Sequence, residues 1–145
     1  MKRGGFLKRK TALKAKPTKR KPKSPLWKLK KALWEECRRI TRTRYGNQCY
    51  TCPTSGLVGS NWQTGHYISS SICSVFMRYH LPNLRPQCYN CNINKSGNWL
   101  SFEDRLNREG VNTEALKQLN RETTGKQYDI LWYEHRLEEY KAITN

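Results

Sequence analysis

A chain of 145 residues with 36% hydrophobic content has material for one small core and its appendages, not for several domains. Its net charge of +17 is concentrated: fourteen of the 28 lysines and arginines fall in residues 1–31, where there is no acid, and the other fourteen stand against all 11 acids, leaving +3. No apolar run nears the roughly 20 residues of a membrane span and no apolar signal segment opens the chain, so a soluble, intracellular protein is expected.

Residues 1–24 mix Lys and Arg with Gly4, Gly5, Pro17 and Pro22, and they show neither helical nor strand period. That predicts a disordered basic arm. Lys8, Arg9, Lys10, Lys19, Arg20 and Lys21 are its candidate nucleic-acid contacts, neutralising phosphates and releasing counterions without reading sequence. Segment 25–46 follows. Ser24-Pro25 makes an N-cap and first turn, and Leu26, Leu29, Leu33, Cys37 and Ile40 recur at helical spacing, predicting a helix over about 25–44 that Gly46 stops. The other face carries Lys28, Lys31, Arg38, Arg39 and Arg42. Cys37 falls on the apolar stripe, where a free cysteine behaves as a small hydrophobe.

Segment 47–110 holds two Cys-x-x-Cys pairs, Cys49–Cys52 and Cys88–Cys91. Two intervening residues let a tight turn aim both sulfurs at one ion, so four thiolates fit a tetrahedral structural Zn²⁺. With Cys37 and Cys73 standing alone, this pattern suits a reducing cytosol better than a disulfide framework. Pro53, Gly56 and Gly59 punctuate a loop before residues 62–68, which read as a strand carrying His66. Residues 69–80 open on three serines with no clear period and predict a mobile loop with a short helical turn near 75–79. Residues 83–87 read as a second strand, limited by Pro82 and Pro86, and a helix opens near Asn90–Asn92.

Ser101 to Asp104 reads as a capping-box variant opening a short helix that Gly110 ends. In segment 111–145, Thr113 caps a helix to about Glu122, and a last helix runs over about 127–142 with Ile130, Tyr133, Leu137 and Tyr140 on one face. Such a stripe is core or the seam of a homodimer. The class expected from these elements is α+β.

Three strings carry a family resemblance: Gly65-His66-Tyr67-Ile68, Leu84 through Asn92, and Ser96-Gly97-Asn98. Residues 45–110 resemble the zinc-supported HNH, or ββα-metal, endonucleases, and the longer match is similar to the NinG/Rap recombination nucleases of lambda-like phages. His66, Asn83 and Asn92 match the three signature positions. The resemblance implies a zinc-stapled ββα-metal core with flanking helices, in a phage-encoded protein working in the host cell cytoplasm. It also implies that DNA is the partner and that branched recombination intermediates, Holliday junctions or D-loops, are cut. His66 would be the general base, Asn92 a ligand of catalytic Mg²⁺ or Mn²⁺, and Asn83 a brace that orients the histidine. One departure stands out: many HNH enzymes carry Asp or His immediately before the strand histidine as a metal ligand, and this chain has Gly65 there. Gln63, His80, Asn94 or His66 itself remain open as further ligands.

Phosphodiester hydrolysis needs an activated water, and a histidine with an unperturbed pKa near ~6.5 can take its proton at neutral pH. Arg85 and Lys95 are candidates to hold the scissile phosphate and Arg78 a flanking one. Two other readings stand beside the nuclease. A non-catalytic zinc-dependent DNA-binding accessory factor is favoured by Gly65, and an RNA- or ribosome-associated zinc protein by the basic tail with its interleaved aromatics.

Overall fold

The computed structural model describes residues 24–143, so the basic arm with Lys8, Arg9, Lys10, Lys19, Arg20 and Lys21 lies outside the described residues. Ser24 caps α1 (Pro25–Tyr45) by accepting from the Trp27 amide, Pro25 needs no amide partner in the first turn, and Gly46 ends the helix at φ 70°. Leu33, Cys37 and Ile40 on α1 bury against Tyr133, Leu137 and Tyr140 of α5 (Ile130–Lys141). Tyr140 Oη donates to the Tyr79 carbonyl at 2.7 Å, and Arg39 donates to the Tyr140 and Ile143 carbonyls at 3.1 Å each, satisfying the end of α5. The C-terminal aromatic stripe is therefore core within the protomer. Ile130, expected on that stripe, is instead 44% exposed.

The sheet has two antiparallel strands, β1 (Trp62–His66) and β2 (Leu84–Cys88), with Trp62 opposite Cys88, Gln63 opposite Gln87, Gly65 opposite Arg85 and His66 opposite Leu84. Between them lie α2 (Val75–Tyr79), whose cap Ser74 accepts from the Met77 amide, and a 3₁₀ turn at Leu81–Asn83. A π-helical turn, Asn90–Asn94, follows β2. Three helices complete an α+β molecule: α3 (Trp99–Arg108), α4 (Thr113–Thr123) and α5. Tyr50, Tyr67, Met77, Phe102, Leu106 and Leu116 form a second buried cluster, which ties α3 and α4 to α2 and to Tyr67 just after β1. Among the described residues no helix is long and apolar enough to cross a membrane.

Several boundaries differ from the sequence reading, and at α4 and α5 the reason is that another side chain supplies the cap. The α3 helix opens at Trp99, after Asn98 at φ 47°, so the box expected from Ser101 does not form. Asn112, not Thr113, caps α4 by accepting from the Ala115 amide, while the Thr113 hydroxyl donates to Asn107. Asp129 accepts from the Trp132 amide and starts α5 three residues later than expected.

Candidate active site and metal centre

The sulfurs of Cys49, Cys52, Cys88 and Cys91 all lie within 4.8 Å of one another, with Cys52 and Cys88 3.8 Å apart. A tetrahedral zinc with Zn–S bonds of ~2.3 Å separates its sulfurs by roughly 3.8 Å, so the four thiols fit one structural zinc. The backbone around them is already tied down. Cys49 donates its amide to the Thr54 carbonyl and Tyr50 to the Pro86 carbonyl, both at 2.8 Å, and the Cys91 amide points to the Cys88 sulfur at 3.4 Å. Leu57 and Trp62 pack on the cage. Burial pushes the Cys91 thiol up to about 12, so without a cation its thiolate is disfavoured. The other two cysteines stand apart: Cys37 is buried on α1, its thiol donating to the Tyr79 carbonyl at 3.6 Å, and Cys73 packs half-buried against the second cluster.

His66 ends β1. Its Nε2 lies 3.0 Å from the Arg78 carbonyl oxygen, which can only accept, so Nε2 carries the proton and Nδ1 keeps the lone pair. The ring stacks on Trp34 of α1, centroids 5.2 Å apart and planes 6° from parallel. Burial lowers the His66 pKa to about 4, against the Arg78 carbonyl bond, which raises it, while the Arg78 charge lowers it further. The imidazole is therefore neutral at physiological pH. Since the folded pKa is below the unfolded one, the unfolded chain binds the extra proton between about pH 4 and 6.5, and stability falls as pH drops through that window. An NMR titration of the His66 ring should give a midpoint well below 6.5, and Trp34→Ala should move it upward. A midpoint at or above 6.5 in the folded protein would contradict this burial.

Asn83 is fully buried, and its carboxamide spans the segment between the strands. Nδ2 donates to the Ile68 carbonyl at 3.2 Å and the Met77 carbonyl at 3.1 Å, while Oδ1 accepts from the Ile68 amide at 2.8 Å. It thus couples α2, whose Arg78 carbonyl holds His66, to the end of β1. Asn92, on the π turn, donates Nδ2 to Gln63 Oε1 at 2.7 Å, and Gln63 Nε2 donates to the Ser60 carbonyl at 3.1 Å. This orientation leaves Asn92 Oδ1 as the amide oxygen able to serve a cation and occupies the oxygen of Gln63.

The place of the absent acid is filled. A Cβ added at Gly65 would lie 1.9 Å from Gln87 Oε1 and 2.6 Å from its Cδ. Gln87 is itself fully buried and immobilised, donating Nε2 to Thr51 Oγ1 at 2.9 Å and to the Gly97 carbonyl at 2.7 Å. Gly65 is therefore required by packing, since an aspartate there cannot coexist with Gln87 in this position. Gly65→Ala should destabilise the fold by about 1–3 kcal/mol, the scale of an overpacked core, and Gly65→Asp by no less. Denaturant midpoints check this, and an unchanged midpoint in Gly65→Ala would show that Gln87 yields freely.

His66 and Asn92 line one open groove of about 1030 Å³ together with Trp34, Thr64, Gln63 and Trp99. Arg38, Lys117 and Arg121 also line it, and among the described residues no carboxylate does. Lys117 and Arg38 share their charge with glutamates outside the lining, whereas Arg121 binds the Gln118 amide. The phosphate candidates from the sequence fall elsewhere. Arg85 is 3% exposed, its guanidinium 4.4 Å from the Tyr45 ring and 5.2 Å from that of Tyr50, and it donates to the Pro82 and Leu84 carbonyls. It is a core cation rather than a surface phosphate contact. Arg78 is exposed and donates to the Ser70 carbonyl at 2.8 Å, and Lys95 closes the π turn; neither lines the groove. His80, packed on Phe76, and Asn94, bonded to Asn90, also stand outside it.

The residues that the sequence left unmarked are Trp34, Thr64, Lys117, Arg121, Gln87 and Trp99. Trp34 lies one position off the apolar stripe of α1, and that offset was the one local signal available. A protein-family model described as bacteriophage lambda NinG protein matches residues 2–145. No match was found among curated proteins or among solved structures.

Proposed function

The chain belongs to the family of the bacteriophage lambda NinG protein, which places it among phage recombination functions, and on that premise we propose that it is a metal-dependent DNA endonuclease of HNH type acting on branched intermediates. The observation that carries the reading is His66. Its ring is neutral, clamped between Trp34 and the Arg78 carbonyl, has one nitrogen free to accept a proton, and shares a carboxylate-free basic groove with Asn92. A DNA backbone is the polyanion such a lining suits.

In this mechanism His66 Nδ1 takes a proton from a water whose oxygen forms a bond to phosphorus. The bond from phosphorus to the 3′ oxygen breaks, leaving a 5′-phosphate and, after proton uptake from solvent, a 3′-hydroxyl. Burial makes free His66 a weak base, but a phosphate entering the groove raises its pKa and strengthens it when substrate is present. Asn83 keeps the Arg78 carbonyl in register with His66. Asn92 Oδ1 would hold a Mg²⁺ or Mn²⁺ ion, which supplies charge neutralisation on the phosphoryl and leaving oxygens. Asn92 Oδ1 is a neutral donor and among the described residues no carboxylate lines the groove, so the anionic ligands such a hard cation needs would have to come from the phosphates of bound DNA.

Incubation of labelled four-way junctions, D-loops, flaps and linear duplex with Mg²⁺ or Mn²⁺, beside EDTA, tests the proposal: branched substrates are cut only with the ion. If the protein binds all of these and cuts none, it is a zinc-built DNA-binding accessory factor, the second reading, which the carboxylate-free groove favours.

A further inference from the structure

Trp99 is 53% exposed and lines the same groove as His66 and Asn92, as does Ile93, itself 49% exposed. Ile72, 73% exposed, lines it too, and large apolar side chains exposed together in one groove, unlike one standing alone, mark an interaction surface. The backbone before Trp99 is held in an unusual path. Ser96, Gly97 and Asn98 have φ of 49°, 87° and 47°, so two non-glycine residues adopt the left-handed conformation in succession around one glycine. That path is nailed to the metal centre and to the groove. The Gly97 amide donates to the Cys91 carbonyl at 2.9 Å and the Asn92 carbonyl at 3.0 Å, its carbonyl accepts from Gln87 at 2.7 Å, and Asn98 Nδ2 donates to the Thr51 carbonyl at 3.0 Å. The backbone that carries Trp99 is thereby anchored at the groove wall, where its indole offers an exposed apolar face.

The lining around that face carries Arg38, Lys117 and Arg121 and, among the described residues, no carboxylate. Glu35, Glu103 and Glu114 pair with the first two from outside the lining, so Arg121, bonded to the neutral Gln118 amide, is the cation that most favours an anionic occupant such as a polyanion. A polyanion that also presents flat apolar faces is a nucleic-acid strand. In a continuous duplex those faces are already stacked, whereas an unpaired base next to a branch offers one. We propose that Trp99, with Ile93, is the stacking shelf for an unpaired DNA base flanking the phosphate at His66, and so a specificity-determining residue that favours branched over continuous DNA. The inference rests on the DNA-binding half of the reading above.

The test uses a fluorescent base, 2-aminopurine, at the unpaired position of a flap or junction, bound by the full zinc-loaded chain in EDTA-free, Ca²⁺-containing buffer so that binding is read without cleavage. Wild type and Trp99→Phe quench the probe. Trp99→Ala leaves it bright and loses about 10-fold or more in affinity for the branched DNA, as expected for one base–aromatic stack, with fully paired duplex changed less than about twofold. An unchanged melting curve of Trp99→Ala shows that the fold is intact. Quenching by Trp99→Ala equal to wild type overturns the proposal, and so does an equal loss on paired duplex, which would make Trp99 a general backbone contact. Tighter capture of single-stranded RNA than of branched DNA overturns the choice of DNA. A protein that stacks the base but cuts nothing with Mg²⁺ or Mn²⁺ sinks the nuclease reading and leaves the shelf standing.

Discussion

His66→Ala lowers metal-dependent cleavage by about 10²–10⁴-fold while DNA affinity stays within about twofold of wild type, the separation expected when a general base is lost from an intact binding groove. The imidazole contributes one hydrogen bond, to the Arg78 carbonyl, and one stacked face, to Trp34, so its removal leaves α1 and the sheet otherwise packed. His66→Asn is the companion variant. Its amide can still donate toward Arg78 but cannot accept a proton from water at neutral pH, so it should fold as wild type and remain as inactive as alanine. Single-turnover cleavage of a labelled junction, with binding measured separately in Ca²⁺, gives both quantities. Wild-type rates in either variant would remove His66 from the chemistry and favour the accessory-factor reading.

Removing zinc should cost still more. Structural zinc sites bind with apparent free energies of about 10–16 kcal/mol in small domains, against a net folding stability of about 5–15 kcal/mol for an ordinary one. The four cysteines also organise more than their own turns. Tyr50 bonds to β2 through the Pro86 carbonyl, Thr51 holds Gln87, and Asn98 reaches both the Thr51 carbonyl and the Cys91 sulfur. Loss of an ion bound there should therefore release the π turn bearing Asn92 and the loop before Trp99 together. Chelation, Cys88→Ser or Cys91→Ser should abolish the cooperative melt of the zinc-loaded protein and its zinc content of one per chain. Cys73→Ser, outside the cage, should keep both. A melt that chelation leaves unchanged would show that the helices fold without the metal.

Much of this molecule is written locally. The stripe Leu33, Cys37 and Ile40 has helical period because one face of α1 must be dry, and the Ser24-Pro25 start and Gly46 stop are conformational requirements of those positions. The paired Cys-x-x-Cys turns are legible because two-residue spacing is the geometry of a thiolate pair on one ion. Caps were less legible: Asn112 and Asp129 each won a helix start that a neighbouring Thr or Gln could equally have claimed, since several polar side chains compete for the same amides.

Arg85 shows where a residue type misleads. In the sequence it is a cation beside a catalytic-looking motif, but its register opposite Gly65 turns it inward between two tyrosine rings, where one guanidinium nitrogen donates to the Pro82 and Leu84 carbonyls and the other lies 3.8 Å from the Glu109 carboxylate. Gly65 shows the reverse, for its apparent gap is a packing requirement set by Gln87, a residue 22 positions away in sequence and near it only through the sheet register and the Thr51 and Gly97 bonds.

By itself the sequence determined the α+β class, the two Cys-x-x-Cys turns and the approximate strands and helices, because each depends on contacts within a few residues or on a period that burial imposes. Only the tertiary structure decided what lines the groove, which nitrogen of His66 is free, and that Trp34, Gln87 and Trp99 belong to the site. Those facts depend on side chains that chain folding brings together across α1, the two strands and the start of α3, and no local pattern encodes such meetings.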